Sequence, residues 1–283
     1  MKKKLTLTDI QECQAKYNIK SYMPFYIYAC YELIGFERKD VFDIGGRLPE
    51  EFVLDFLNVR SYTSIEAPNY ITNPIDNKDN NYKHSEYNFN NNKISRYNVI
   101  YDFIEDLSQD YYQNYDLIIS FAAFEHINKF PKALDKMFLS LRDSGYLFSM
   151  FSPLWSAFDG HHQRRPFDKK GNVLNSPIPP WGHLLMRPPE LCQYLYKITD
   201  KESADQIVYR VYNSDLINRF FTEDYLNFFQ QSSFKIKQCH LTYQTNIEPK
   251  IQKKLETLYP GRKYFANNGI MVIMQKDKGH LQF

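Results

Sequence analysis

Asp40-Val41-Phe42-Asp43-Ile44-Gly45-Gly46-Arg47-Leu48-Pro49 reads as a short buried strand, Asp40 to Ile44, that ends at a diglycine and gives way to a helix. Pro49 falls in the first helical turn, where its missing N–H costs nothing, and Glu50 and Glu51 sit near the positive end of a helix reaching Leu57. Arg60 to Ile65 follows as a second strand closing on Glu66, Asn98 to Tyr101 as a third, and Tyr115 to Ser120 as a fourth. Pro131 opens a helix whose apolar Leu134, Met137, Phe138 and Leu141 keep i, i+3, i+4, i+7 spacing. Asp143-Ser144-Gly145 then turns into a fifth strand, Tyr146 to Phe151. Alternation of strand and helix predicts an α/β protein, a mostly parallel sheet with helices on both faces. Such sheets take ligands beyond the carboxyl ends of their strands.

The chain has 283 residues, 43% hydrophobic and 24% charged, which fits a globular protein with a sizeable core and excludes a coiled rod or a disulfide miniprotein. Net charge is only +2, so the chain offers long nucleic acid no basic face. Small basic clusters at Lys2 to Lys4, Arg164–Arg165 and Lys169–Lys170 read as solvated surface. No apolar run approaches the ~20 residues that span a bilayer, and Thr6, Thr8, Asp9, Gln11 and Glu12 interrupt any signal-peptide core. Cys13, Cys30, Cys192 and Cys239 form no CxxC pair, which points to reduced thiols and a cytoplasmic location. Aromatics reach 17%, whereas glycines number only 10, so glycine positions are informative.

Residues 1–38 read as an N-terminal helical cap: a Thr8-Asp9-Ile10-Gln11 capping box starts a helix that breaks near Pro24 and continues to Leu33. Residues 39–283 form the main domain. Within it, residues 67–97 are an Asn- and Tyr-rich surface excursion and residues 153–221 an insertion rich in Pro, Trp and His, becoming helical around Pro189 to Tyr196. Thr222-Glu223-Asp224 starts a helix through Phe229; Phe234 to Tyr243 and Gly269 to Gln275 are late strands.

The Asp43-Ile44-Gly45-Gly46 turn lets the backbone come close to a ligand, and free amides at the following helix start favour a carboxylate or phosphate. Glu66 ends the next strand 23 positions after Asp43, near the spacing at which an acid meets ribose hydroxyls. Together they point to an adenosine-containing cofactor.

On these residues the chain resembles the class I S-adenosylmethionine-dependent methyltransferases, over roughly Asp40 to Phe151 and again from Thr222 to Gln275. Of that family's acidic-x-Gly-x-Gly-x-Gly turn the chain keeps Asp43 and Gly45, with Arg47 and Pro49 at the later glycine positions. Tyr115-Asp116-Leu117-Ile118-Ile119-Ser120-Phe121-Ala122-Ala123-Phe124-Glu125-His126-Ile127 is similar to the fourth-strand signature ending in Glu-His, and Gly145 to the turn into strand five. The resemblance implies a Rossmann-like, seven-stranded sheet with an antiparallel last strand. It also implies S-adenosylmethionine as cofactor, held by Asp43, Gly45, Gly46, Glu66 at the ribose, Asp102 at the adenine, Ser120 and Phe121.

No resemblance covers Pro153 to Phe221, where the substrate side is expected. Asp159-Gly160-His161-His162 and Pro180-Trp181-Gly182-His183 set histidines beside two of the scarce glycines. Imidazoles with ordinary values near 6.5 suit proton removal from a hydroxyl or amine, which makes His161, His162 and His126 the candidate catalytic residues. Trp155, Trp181 and His183 are candidate substrate contacts; a Pro-rich structural loop with packed Trp rings is the competing reading. Glu125, His126 and His161 offer a weaker metal alternative.

The leading expectation is therefore a methyl transferase for an O or N atom of a small acceptor, a sugar or peptide-like metabolite, serving biosynthesis. A non-catalytic methyltransferase-like binding subunit, and a cofactor-binding enzyme running another reaction, are the alternatives.

Overall fold

A computed structural model describes residues 4–68, 96–163 and 176–277. Lys2 and Lys3, the Arg164–Arg165 and Lys169–Lys170 clusters, and most of the 67–97 excursion lie outside the described residues.

Seven strands form one sheet: β1 (Asp40–Ile44), β2 (Ser61–Glu66), β3 (Tyr97–Tyr101), β4 (Tyr115–Phe121), β5 (Leu141–Phe151), β6 (Lys235–Gln244) and β7 (Asn267–Gln275), in the order β3-β2-β1-β4-β5-β7-β6. Strands β3 through β5 pair in parallel, while β7 runs antiparallel to both β5 and β6. This is the Rossmann-like, mostly parallel arrangement expected. Strand order reverses between β1 and β4, and the crevice at that switch point is the natural ligand site of an open α/β sheet.

Two apolar layers cover the sheet. One face buries Phe42, Ile118 and Phe151 against α3 (Phe130–Ser140), with Phe130, Leu134 and Met137 inward, and α7 (Thr222–Gln231), with Tyr225 and Phe229 inward. The other buries Val41, Tyr62, Leu117 and Phe148 against α1 (Leu7–Tyr17) and α2 (Met23–Leu33). Thr6, not Thr8, caps α1: Asp9 N–H donates to its hydroxyl at 3.2 Å and Thr6 N–H donates back to the Asp9 carboxylate at 2.7 Å. Starting at Leu7 directs Ile10 and Cys13, three apart, into the core.

The helix expected to reach Leu57 is instead a π-helical turn over Phe52–Phe56. It buries the adjacent Phe52 and Val53 in the core.

A third core lies outside the sheet. Trp155, Ile178, Trp181, Leu184, Leu191, Ile207 and Val211 pack together with Leu255 and Phe265. The elements are α4 (Gly182–Leu185), α5 (Pro188–Leu195), α6 (Lys201–Tyr212) and α8 (Pro249–Leu258); sequence reading anticipated α5 but neither α6 nor α8. The insertion after β5 thus shares its core with the crossover between β6 and β7.

Candidate functional site

At the carboxyl end of β1, Asp43 is fully buried. One carboxylate oxygen accepts from the Tyr62 hydroxyl at 2.5 Å, and that hydroxyl in turn accepts from Leu48 N–H at 2.8 Å. The other, Oδ1, has no partner among the described residues. Burial raises the Asp43 carboxyl to about 7, opposed by the Tyr62 hydrogen bond. Gly45 follows at φ +72°, a left-handed conformation, and its Cα sits so near Ala123 that a Cβ would lie 2.6 Å from that methyl. The glycine thus brings the β1 turn against the loop after β4. A Cβ on Gly46 would strike the Asp43 carboxylate at 2.8 Å.

Glu66 stands at the end of β2, paired across the ladder from Tyr101. Burial raises its carboxyl, while Lys20, Arg47 and the Ser64 hydroxyl at 3.4 Å act in the opposite direction. Arg47 donates to the Tyr101 hydroxyl at 3.3 Å, so a guanidinium sits at the end of β3 beside Glu66. Lys20, from the segment between α1 and α2, adds its charge near Asp43, Glu66 and His126.

Asp102 follows β3 and turns one carboxylate oxygen back to Phe103 N–H at 2.8 Å. Ser120 and Phe121 point into the protein. The Ser120 hydroxyl donates to Ile44 O at 2.9 Å, tying β4 to the end of β1, and Phe121 packs between Tyr26 and Phe148 at 6.1 Å from each. Both shape the turn from beneath.

Beyond β4 a row of imidazoles leads from the switch point into the insertion. The His126 and His162 rings are 5.2 Å apart, the His161 and His183 rings 5.5 Å, and Trp155 lies 4.6 Å from His183. Backbone partners fix their protonation: Nδ1 of His126 faces Leu216 O at 2.7 Å, Nε2 of His162 faces Pro153 O at 2.7 Å, and Nε2 of His183 faces Trp155 O at 2.8 Å. A carbonyl only accepts, so each of those nitrogens carries the hydrogen. His161 is the reverse, because its Nδ1 accepts from Gln163 N–H at 3.0 Å and Nε2 therefore holds the proton. Burial lowers His126 and His161 to about 4 and His162 and His183 to about 3, so all four are neutral at pH 7. The ordinary value near 6.5 assumed from sequence does not hold, since desolvation disfavours imidazolium.

Gly160 makes the row possible: a Cβ there would lie 2.2 Å from Leu154 O and 2.6 Å from Trp155 O. Trp155 also faces the Arg219 guanidinium at 5.8 Å. Trp181 is 3% exposed, donates its indole N–H to Phe265 O at 3.0 Å, and belongs to the third core. Of the two tryptophans, only Trp155 contacts the histidine row.

Glu125 is buried; burial raises its carboxyl to about 8, and Oε2 has no partner among the described residues. Its neighbour His126 turns to Leu216. Among the described residues no three His, Cys, Asp or Glu side chains come together as a metal cluster, so Glu125, His126 and His161 do not assemble the alternative site.

Sequence reading missed Asn218. Its side-chain amide donates to Phe124 O at 2.7 Å and Ile127 O at 2.9 Å, its Oδ1 accepts from Tyr225 O–H at 2.7 Å, and its N–H donates to Glu125 O at 2.9 Å. One buried asparagine thereby clasps the loop carrying Glu125 and His126. No motif marks such a residue, because the loop atoms it holds are backbone groups about 90 positions away.

No family model matches the chain, and no curated protein matches it. Among solved structures it is similar to an S-adenosylmethionine-dependent methyltransferase of Mesorhizobium loti, at 10% identity and TM-score 0.47 over 88% of this chain and 96% of the other. It is also similar to phosphoethanolamine N-methyltransferase 2 of Haemonchus contortus in complex with S-adenosyl-L-methionine, at 9% identity and TM-score 0.49 over 98% of this chain and 59% of the other. Likeness this distant settles no reaction.

Proposed function

We propose that the protein transfers the methyl group of S-adenosylmethionine to an oxygen or nitrogen of a small acceptor. The observation that carries this reading is the pair of acids at the switch point. Asp43 and Glu66 end adjacent parallel strands, Asp43 keeps a buried carboxylate oxygen without a partner among the described residues, and the left-handed Gly45 turn lies between them and the β4 loop. Carboxylates so placed suit ribose hydroxyls and a cationic amine, both of which donate hydrogen bonds. The bound cofactor supplies an electrophilic methyl on a sulfonium. The chain's own part is to orient the acceptor, exclude water with the insertion, and receive a proton in the histidine row.

Arg47 favours a second reading, a non-catalytic binding subunit, because its guanidinium leans toward Glu66. Titration calorimetry with S-adenosylhomocysteine separates the two. Saturable binding that weakens by roughly tenfold to a hundredfold in Glu66→Ala, the loss of hydrogen bonds to a charged group, supports the enzyme. Folded wild-type protein that binds neither S-adenosylmethionine nor S-adenosylhomocysteine overturns it. Formation of S-adenosylhomocysteine matched by methylated product separates methyl transfer from other sulfonium chemistry. All four cysteines are free thiols and, among the described residues, no helix is long and apolar enough to cross a membrane. The free thiols support the cytoplasmic location this reading carries.

A further inference from the structure

We infer that His161 and His183 together form a binding site for one neutral hydroxyl group, and that the acceptor is therefore an alcohol whose oxygen receives the methyl group. This rests on the methyl-transfer reading above and narrows it. The argument is one of hydrogen-bond complementarity. Among the described residues, Nε2 of His161 is a donor with no partner and Nδ1 of His183 an acceptor with no partner. Their rings stand 5.5 Å apart at 76°, and the residues are only 3% and 1% exposed. Burying an unpaired donor and an unpaired acceptor side by side costs about 1–3 kcal/mol for each. A hydroxyl satisfies both at once, giving its hydrogen to His183 and accepting from His161. A carboxylate has no hydrogen for His183. An ammonium has no lone pair for His161, and a neutral amine has only one, so accepting from His161 leaves it none for the methyl, whereas a hydroxyl oxygen keeps a second.

Trp155, 4.6 Å from His183, closes one side of the pair with a flat apolar ring. The carbonyl of the same residue fixes the His183 tautomer, so wall and acceptor are placed by one residue. In the reaction an oxygen lone pair forms the new O–C bond and the C–S electron pair stays with sulfur. The O–H proton passes to Nδ1 of His183, leaving a neutral ether and an imidazolium. Burial makes His183 a weak base, but a hydroxyl oxygen acquiring a methyl cation becomes far more acidic than an imidazolium. The proton therefore moves late and downhill.

The test is nitrogen-15 NMR of histidine-labelled full-length protein, with glycerol as the alcohol probe and ethylammonium and acetate as controls. The expected result is Nε2–H tautomers for both His161 and His183, and a saturable glycerol shift at His161 Nε2 and His183 Nδ1. The controls leave both nitrogens unmoved, and His183→Phe weakens the response to glycerol by roughly tenfold. An Nδ1–H tautomer at either residue, nitrogens that glycerol does not move because only water occupies the pair, or equal shifts from acetate or ethylammonium overturns the inference. The wild-type titration needs no variant to fold. Calorimetry with S-adenosylhomocysteine on the same sample separates the outcomes: cofactor binding without a glycerol shift refutes the hydroxyl site alone, and a glycerol shift without cofactor binding refutes the methyl-transfer reading alone.

Discussion

Asn218→Ala tests whether one buried asparagine holds the loop that carries Glu125 and His126. The substitution removes three short bonds, the donations to Phe124 O and Ile127 O and the acceptance from the Tyr225 hydroxyl, together with a long 3.4 Å acceptance from Phe220 N–H. Asn218 is 5% exposed and Tyr225 fully buried, so water does not readily replace these bonds. Three hydrogen bonds at a net ~1 kcal/mol each give about 3 kcal/mol, rising toward 5 kcal/mol if the stranded groups stay dry. The main-chain bond from Asn218 N–H to Glu125 O survives, so the loop should loosen while the sheet stays folded. Urea unfolding followed by circular dichroism measures the loss. Asn218→Asp is the control: it keeps the acceptor for Tyr225 but turns a carboxylate toward two carbonyls, so it should cost at least as much. A loss below about 1 kcal/mol for Asn218→Ala would refute the clasp.

Gly160→Ala should destabilise by at least the 1–3 kcal/mol typical of overpacking, because its Cβ meets backbone oxygens that cannot rotate away; an unchanged thermal midpoint contradicts this. The histidine row sets an acid limb. Folded values of about 4 for His126 and His161 and about 3 for His162 and His183 lie below the unfolded value near 6.5. The unfolded chain therefore binds more protons across that interval. This contribution to stability is complete above about pH 6.5 and is lost as pH falls through 4 and then 3. Urea midpoints should drop between pH 7 and pH 5, less steeply in His162→Gln, and equal slopes for the two proteins would count against it.

The strands were readable because β1 and β4 hold short apolar runs, while β2 sets an aromatic and β-branched residues among small polar ones before Glu66. The Asp43-Gly45 turn and Glu66 were readable for the same reason, since strand ends locate them. Other features were hidden in partnerships distant in sequence. His183 lies 22 positions from His161, and nothing in the spacing says that one exposes a donor and the other an acceptor; that depends on Gln163 N–H and Trp155 O. Ser120 and Phe121 lie within the fourth-strand signature yet both are buried, because both faces of the sheet are covered. Helix α8 was missed because its polar sequence buries little beyond Leu255, the contact that joins it to the third core.

That third core limits how the protein could be re-engineered. Acceptor preference is often altered by transplanting a variable insertion from one scaffold to another. Here a cassette of residues 153–221 would arrive without its other half, because Trp181 anchors on Phe265 and Tyr259 hands its hydroxyl hydrogen to Leu184 O at 3.0 Å. A graft that keeps the histidine row in place has to carry the β6–β7 crossover as well, so this insertion is exchangeable only as two co-selected pieces of chain.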